Sequence, residues 1–249
     1  MNKYGLIGHH LSHSYSPQIH QYLFKKNNID ATYSLIEVED DELANCIKNL
    51  KNNVYSGYNV TIPYKEKIMK YCDLLTDAAK EIGAVNTVYM RDGLVIGDNT
   101  DYLGFMTELQ ICGIDVSEKD VYVMGNGGAS KAIRYAIKLL NGNSIVTSIT
   151  GEGLTYEELR SIPHYSVLIN TTPVGMYPNC DSCVIEEEHV KKADVCVDLI
   201  FNPKVTKFLS YSKRGYNGLL MLIFQAIHAE ELWQQKEIIY DLEELKNLL

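Results

Sequence analysis

Residues 9–20, HHLSHSYSPQIH, bring four histidines and three serines into one short stretch. Clustered histidines suit a metal, a serine among them suits a nucleophile, and paired hydroxyls suit an anionic substrate. Lys65 falls in what reads as the first turn of a helix, where the macrodipole disfavours a cation. It is either a solvated surface lysine or one whose ammonium form is destabilised enough to exchange a proton near neutral pH. In GDNTDYLG, Asp98 and Asp101 stand at the sequence junction of two predicted units. Asn99 or Thr100 there also fits a helix N-cap, with Asp101 favourable in the first turn. VYVMGNGGASKA sets Gly125, Gly127 and Gly128 between a strand and a helix, the arrangement that cradles a pyrophosphate on backbone N–H groups and a helix N-terminus. Its spacing is GxGGxS, with small Ser130 at the third position.

The hydrophobic pattern supplies the elements that must position these groups. KYGLIG, ATYSLIEV and YSGYNVTI read as strands, separated by a helix from Pro17 to about Lys26 and an amphipathic helix over DELANCIKNL. PYKEKIMKYCDLL reads as a helix with Pro63 at its start, because Ile68, Cys72 and Leu75 align. AVNTVYM and LVIGDN read as a hairpin across Arg91-Asp92-Gly93. A helix over 101–112 follows. DVYVMG, SIVTSIT, YSVLINTT and DVCVDLI are then apolar, β-rich runs with helical pieces between them, among them GGASKAIRYAIKLL, which Gly142 ends. This alternation predicts a parallel, doubly wound sheet, and the tail from GLLMLIFQAIHAEELW reads as helix throughout. The fold class is therefore α/β with two domains, 1–100 and 101–217, and with C-terminal helices 218–249 packing back on the first.

Nearly half of the 249 residues are apolar, enough to bury real cores. A formal charge of −9 argues against nucleic acid or an anionic membrane as partner, since no excess of Lys and Arg exists to neutralise phosphates. No apolar run is long enough to span a bilayer and no basic n-region opens the chain, which predicts a soluble, cytoplasmic protein. Cys180 and Cys183 form a CxxC, but no second pair provides the other ligands of a zinc knuckle and His189 alone does not suffice. The pair reads as a reduced surface loop, and the other four cysteines as small core residues.

SHSYSP, YNVTIPYK, GAVNTV, GDNTDYLG, GNGGASKA, INTTPVGM and NGLLMLIFQA, in this order, resemble the blocks of the shikimate dehydrogenase family over residues 4 to about 235. The resemblance implies reversible reduction of 3-dehydroshikimate to shikimate, in the aromatic amino-acid (chorismate) pathway, with a Rossmann-like domain holding NADP. It matches Ser14 and Ser16 to hydroxyls that hold the substrate carboxylate. Asn59, Thr61, Asn86 and Gln225 match side chains that contact ring hydroxyls or line the pocket, and Lys65 and Asp101 match the catalytic pair. Which of these two donates the proton stays open, since a close pair titrates as a unit. Gly125, Asn126, Gly127, Gly128, Ala129 and Ser130 match the pyrophosphate loop. Asn170, Thr171, Met176 and Gly218 match positions bordering ribose and nicotinamide. The implied partner is a small-molecule substrate, the implied assembly a monomer or homodimer, and no metal is implied.

The chain also departs from the family pattern. Where an Asn-Arg-Thr sequence usually grips the NADP 2′-phosphate, it carries Ser148-Ile149-Thr150, followed by Glu152 and Gly153. Only GEGLTYEELRSIPHYSVL separates Thr150 from INTTP, so the cofactor half reads as abbreviated. An unpaired glutamate there repels a 2′-phosphate and can accept from a free 2′-hydroxyl, which points to weakened NADP preference and makes NAD possible. Phe201 stands in place of a common tyrosine, and Leu220 in place of a frequent glycine. The rival readings are an NAD-dependent quinate/shikimate dehydrogenase, a substrate-binding homologue with a degenerate cofactor site, and a metallohydrolase built on the histidines. Lys65 and Asp101 disfavour the second, and the absence of an acidic or cysteine co-ligand near His9, His10, His13 and His20 disfavours the third. In an extended segment Ser14 and Ser16 share a side, and Ser16-Pro17 fits N-cap and N1 of the next helix. HHLSHSYSPQIH is thus expected to be a carboxylate cradle.

Overall fold

The computed structural model covers residues 1–249 and divides the chain into two compact units, Met1–Gly104 with Leu222–Leu249, and Phe105–Met221. In the first, β1 (Asn2–Gly8), α1 (Ser16–Lys26), β2 (Ala31–Glu37), α2 (Leu43–Lys51) and β3 (Gly57–Val60) alternate, so helical crossovers leave the strands parallel. β4 (Leu74–Leu75), α3 (Asp77–Ile82), β5 (Thr87–Arg91) and β6 (Leu94–Asp98) complete a six-stranded sheet of order β2-β1-β3-β5-β6-β4. Only β5 is antiparallel to its neighbours. The β5–β6 hairpin turns at Asp92-Gly93, whose φ values of 52° and 77° are those a two-residue turn requires. Alternation buries Ile7, Tyr58, Val60 and Val88 with Leu43, Ile47 and Leu50 of α2, and sends Tyr4 and Leu6 to a second cluster with Phe24 and Tyr33.

Two predicted helix starts differ in the structure. The segment after Pro63 forms turns and then a 3₁₀ helix over Lys67–Tyr71, not an α-helix, so Lys65 lies outside any helix first turn and the macrodipole does not act on it. The cause is tertiary: Asp73 N–H donates to Val95 O and Val95 N–H to Asp73 Oδ2, which pulls the chain into β4 before a second turn can form. Ser16 is already helical, with Tyr15 as N-cap in the αR region, so residues 14–16 are not extended. Ser14 Oγ instead accepts from Ser16 N–H, at 3.2 Å.

α4 (Asp101–Cys112) leads into the second unit. There β7 (Asp120–Met124), α5 (Gly128–Leu139), β8 (Asn143–Thr147), α6 (Tyr156–Ser161), β9 (Tyr165–Asn170), α7 (Glu187–Val190), β10 (Ala193–Asp198), α8 (Lys207–Ser210) and β11 (Gly215–Asn217) form an all-parallel sheet of order β11-β10-β9-β7-β8. The chain leaves β7 toward one edge and returns from β8 to β9 on the other side, which makes a topological switch at β7/β9. Thr147, Met124, Asn170 and Asp198 lie in one row across the carboxyl ends of these strands. α5 ends with Asn141, not Gly142, in the left-handed conformation (φ 59°), while Gly142 N–H donates to Ile137 O.

α9 (Leu219–Gln234) and α10 (Leu242–Leu248) close the chain, but residues 235–241 between them are not helical. Gln235 adopts φ 51°, and Asn27 at the end of α1 bonds both the N–H and the C=O of Ile239, holding that segment extended along α1. Tyr22 and Lys26 of α1 then both bond Glu244 of α10. No helix is long and apolar enough to cross a membrane.

Candidate active site

Lys65 is fixed by its backbone before its side chain. Tyr64 N–H donates to Thr61 O, Val85 N–H donates to Lys65 O, and the buried Tyr64 hydroxyl donates to Val38 O and meets His9 Nε2. From that turn Lys65 Nζ reaches Asp101 Oδ2 at 2.7 Å, with the two side chains only 15% and 7% exposed. Asp101 opens α4, and Asn99 Oδ1 accepts its N–H, so the helix N-terminus and the ammonium both favour its charge. Asn86 joins the pair to the rest. Its Nδ2 lies 2.9 Å from Asp101 Oδ1, 3.0 Å from Thr100 Oγ1 and 3.3 Å from Gln225 Oε1, while its Oδ1 accepts from Thr100 N–H. A buried, hydrogen-bonded lysine–carboxylate pair of this kind can hold one proton and hand it over.

A second line of polar groups runs through the same unit. Ser14 Oγ lies 3.2 Å from Ser16 Oγ, so the two hydroxyls converge, by way of a turn rather than an extended strand. Asn59 on β3 donates through Nδ2 to Thr87 Oγ1 and to Asn86 O, and accepts at Oδ1 from Tyr33 OH at 2.8 Å. Thr61 follows β3, with its N–H on Ile7 O and its methyl packed against Gly8, where a Cβ would meet it at 2.5 Å. Lys65, Asp101, Asn86, Gln225 and Asn59 are thus one hydrogen-bonded set, which Tyr33 joins through Asn59, and Ser14 and Ser16 are a second cluster.

In the second unit the glycine loop leaves β7. Gly125 has φ 107°, and a Cβ there would meet Thr171 Oγ1 at 2.6 Å, so the position requires glycine. Gly127 is the N-cap of α5 with open space around its Cα, followed by Gly128, Ala129 and the buried Ser130, whose Oγ donates to Gly125 O. A bare loop, an N-cap without a side chain and a twelve-residue helix fit a pyrophosphate. Thr171 is bonded to Met124 O, and Asn170 to Asp198, while Met176 is 46% exposed in the loop after β9. Gly218 precedes α9, where a Cβ would meet Leu199 O at 2.2 Å.

One expectation at the adenosine end is corrected. Glu152 is not unpaired: Asn126 Nδ2 donates to its Oε2 at 2.6 Å, and Arg134 of α5 lies 3.2 Å from its Oε1. These hydrogen bonds, Asn126 first and then Arg134, hold the carboxyl below its usual range. Ile149 is 92% exposed.

Several groups escaped the sequence reading. Thr87 and Thr100 complete the Asn86 array, and the matching Asn-Thr dipeptides at 86–87 and 99–100 were the available signal. His20, weighed in the sequence as a metal ligand, is fully buried, and its Nδ1 lies 2.6 Å from Glu230 Oε1. Only tertiary structure joins residues so far apart. No three His, Cys, Asp or Glu side chains gather as a metal requires, and burial raises the thiol of Cys183, which packs against the second unit's core.

Known proteins resemble this chain in sequence and in fold. The family model for the shikimate dehydrogenase substrate binding domain matches residues 6–88. The NADP(+) shikimate dehydrogenase of Clostridium beijerinckii is 42% identical, over 96% of this chain and 94% of its own. Shikimate dehydrogenase 1 from Peptoclostridium difficile superposes with a TM-score of 0.89 at 37% identity, over 100% of this chain and 96% of that one. The Thermus thermophilus shikimate 5-dehydrogenase, solved with NADP(H) and shikimate, gives a TM-score of 0.90 at 26% identity, over 100% and 98% of the two chains.

Proposed function

The chain belongs to the shikimate dehydrogenase family, and from that premise we propose that it interconverts 3-dehydroshikimate and shikimate with a nicotinamide dinucleotide, in the route to aromatic amino acids. The observation that carries this reading is the 2.7 Å Lys65–Asp101 pair, tied through Asn86 to Gln225. In this reading Met1–Gly104 with Leu222–Leu249 is the substrate-binding unit and Phe105–Met221 the cofactor-binding unit.

Ser14 and Ser16 donate to the substrate carboxylate, and Asn59, Thr61, Asn86 and Gln225 orient the ring hydroxyls. A polyhydroxylated acid needs many such partners, and a neutral amide and hydroxyl set meets that need without further charge. A bound dinucleotide would supply the hydride; Gly125 to Ser130 would hold its pyrophosphate, and Asn170, Thr171, Met176 and Gly218 would border its ribose and nicotinamide. The Lys65–Asp101 pair delivers the proton that the oxygen gains on reduction and takes it back on oxidation. Asn86 and Asn99 hold Asp101 in place, so that no reorganisation is needed at the moment of proton transfer.

NADP is the cofactor named for the relatives. Here, with Ile149 in place of an arginine and Glu152 occupying Arg134, the preference is weak and NAD is also used. A spectrophotometric assay crossing shikimate and quinate with NADP and NAD tests the whole reading. The expected result is shikimate oxidation exceeding quinate oxidation, with specificity constants for the two cofactors within about tenfold, about 1.4 kcal/mol. NADP preference above about a hundredfold overturns the cofactor assignment. No turnover in all four combinations overturns the dehydrogenase reading and favours a substrate-binding protein.

A further inference from the structure

His20 and Glu230 form a charge-capable pair with neither side chain exposed, a costly arrangement that the chemistry proposed above does not use. The pair is held by several contacts, while the buried His20 Nε2 has no hydrogen-bond partner. Glu230 Oε2 accepts from Gln234 Nε2, which also meets Tyr4 OH, and the His20 ring stacks on Tyr33 with centroids 4.0 Å apart and planes 5° apart. Trp233 stacks near the same imidazole, at 5.4 Å. A ring held by so short a carboxylate contact cannot rotate or slide, so the plane of the Tyr33 phenol stacked on it is fixed as well.

The phenol's hydroxyl donates to Asn59 Oδ1 at 2.8 Å, and Ser16 opens the helix whose His20, one turn on, stacks on the phenol. Burial, with the nearby Glu230 charge second, raises the phenol well above its ordinary range, so it remains a neutral donor. Asn59 has few alternatives, because its Nδ2 is committed to Thr87 and to Asn86 O. Tyr33 thus ties Asn59 on β3 to α1, the helix that begins at Ser16 and carries the stacked His20.

We infer that Tyr33, clamped by the buried His20–Glu230 pair, is a positioning residue that fixes the distance between the carboxylate cradle and the ring-hydroxyl contacts, and so selects which cyclic hydroxy acid fits. The inference rests on the substrate assignment made above. It is confined to the first unit, and its effect falls on substrate binding, with proton transfer left to Lys65 and Asp101.

The test compares the full-length protein with Tyr33→Phe and Glu230→Gln, using calorimetric shikimate binding and steady-state kinetics with the better cofactor. Tyr33→Phe keeps the ring and its stacking but loses the hydrogen bond to Asn59. It is expected to weaken shikimate binding and raise its KM about tenfold, with kcat changed less than about threefold and the cofactor KM unmoved. Glu230→Gln leaves the phenol's own bond in place and raises the same KM by about threefold. A Tyr33→Phe protein that binds shikimate as tightly as wild type overturns the inference, as does a parallel change in cofactor KM. A wild-type protein that does not bind shikimate overturns the function proposed above and this inference with it. If only the positioning role is wrong, wild type binds shikimate and the variant binds it equally well.

Discussion

Lys65 Nζ and Asp101 Oδ2 are each other's partner, and neither is well placed to act alone. Removing the lysine leaves a buried carboxylate facing only Asn86, and removing the carboxylate leaves an ammonium with little water around it. Asp101→Asn is expected to lower kcat by about 10²–10⁴-fold, with shikimate KM within about threefold of wild type. Lys65→Met does the same, and the double variant is no worse than the poorer single one, because the pair is one proton-handling unit. Full additivity of the two losses in single-turnover rates rules the unit out. At this scale the sequence was most informative where chemistry and local geometry coincide: Asp101 at a helix start and Gly125 at a strand end are legible from type and neighbours alone. For Lys65 the helix-dipole argument fails, since its turn is not helical, while the family resemblance points to its pairing with Asp101, 36 residues away. Asn86 as a hub, and Tyr33 and His20 at all, depend on contacts that no periodicity encodes.

The elements fail and succeed for similar reasons. β7, β9 and β10 read correctly because each is largely buried on both faces and therefore apolar along its length, whereas β11, three residues long and partly exposed, carries no such run. KEKIMKYC satisfies a helical spacing, yet the Asp73–Val95 pairing of β4 with β6 outweighs it over so short a run. Residues 235–241 likewise give up helix for the two bonds of Asn27. The connection after β8 is the element with the most specific consequence. Ser148 Oγ bonds Thr150 and Glu152 O, and Gly153 with φ 75° lies so close to Val146 O that a Cβ would meet it at 2.2 Å, so the loop is tightly wound and Glu152 is held against Arg134. Ile149 projects from this loop into solvent and can be exchanged without disturbing it. Ile149→Arg is expected to improve the NADP specificity constant by about tenfold relative to NAD, since a guanidinium pairs bidentately with phosphate, and to leave the shikimate KM unchanged. Glu152→Gln, which releases Arg134 from a charged partner, moves cofactor preference in the same direction by about threefold. If both variants leave the NADP-to-NAD ratio where it was, this loop does not read the adenosine ribose.

At the scale of the whole molecule, the buried carboxylates make stability depend on pH in an unusual direction. Glu108 on α4 is fully buried; its Oε2 accepts from Met221 N–H at the start of α9, and its Oε1 has no partner. Burial, opposed only by that single amide, pushes its carboxyl from 4.5 to about 8. Asp198 is pushed up as well, to about 6, by burial that the hydrogen bonds from Thr206, Ile200 N–H and Asn170 only partly offset. A carboxyl with a higher pKa folded than unfolded keeps its proton preferentially in the folded state, so stability falls as pH rises through the interval between the two values. For Glu108 that interval runs from 4.5 to about 8, and the loss across it is of order a few kcal/mol. Glu108→Gln keeps an acceptor for Met221 N–H and cannot ionise. Its melting temperature is expected to exceed that of wild type by roughly 5–10 °C at pH 8.5 and to converge with it near pH 4.5. Asp198→Asn is different in kind, because its amide group would confront donors already aimed at both carboxylate oxygens, so it destabilises at every pH. Thermal denaturation of the three proteins between pH 4.5 and 8.5 separates these cases. A wild-type curve parallel to that of Glu108→Gln means that Glu108 is ionised in the folded protein throughout.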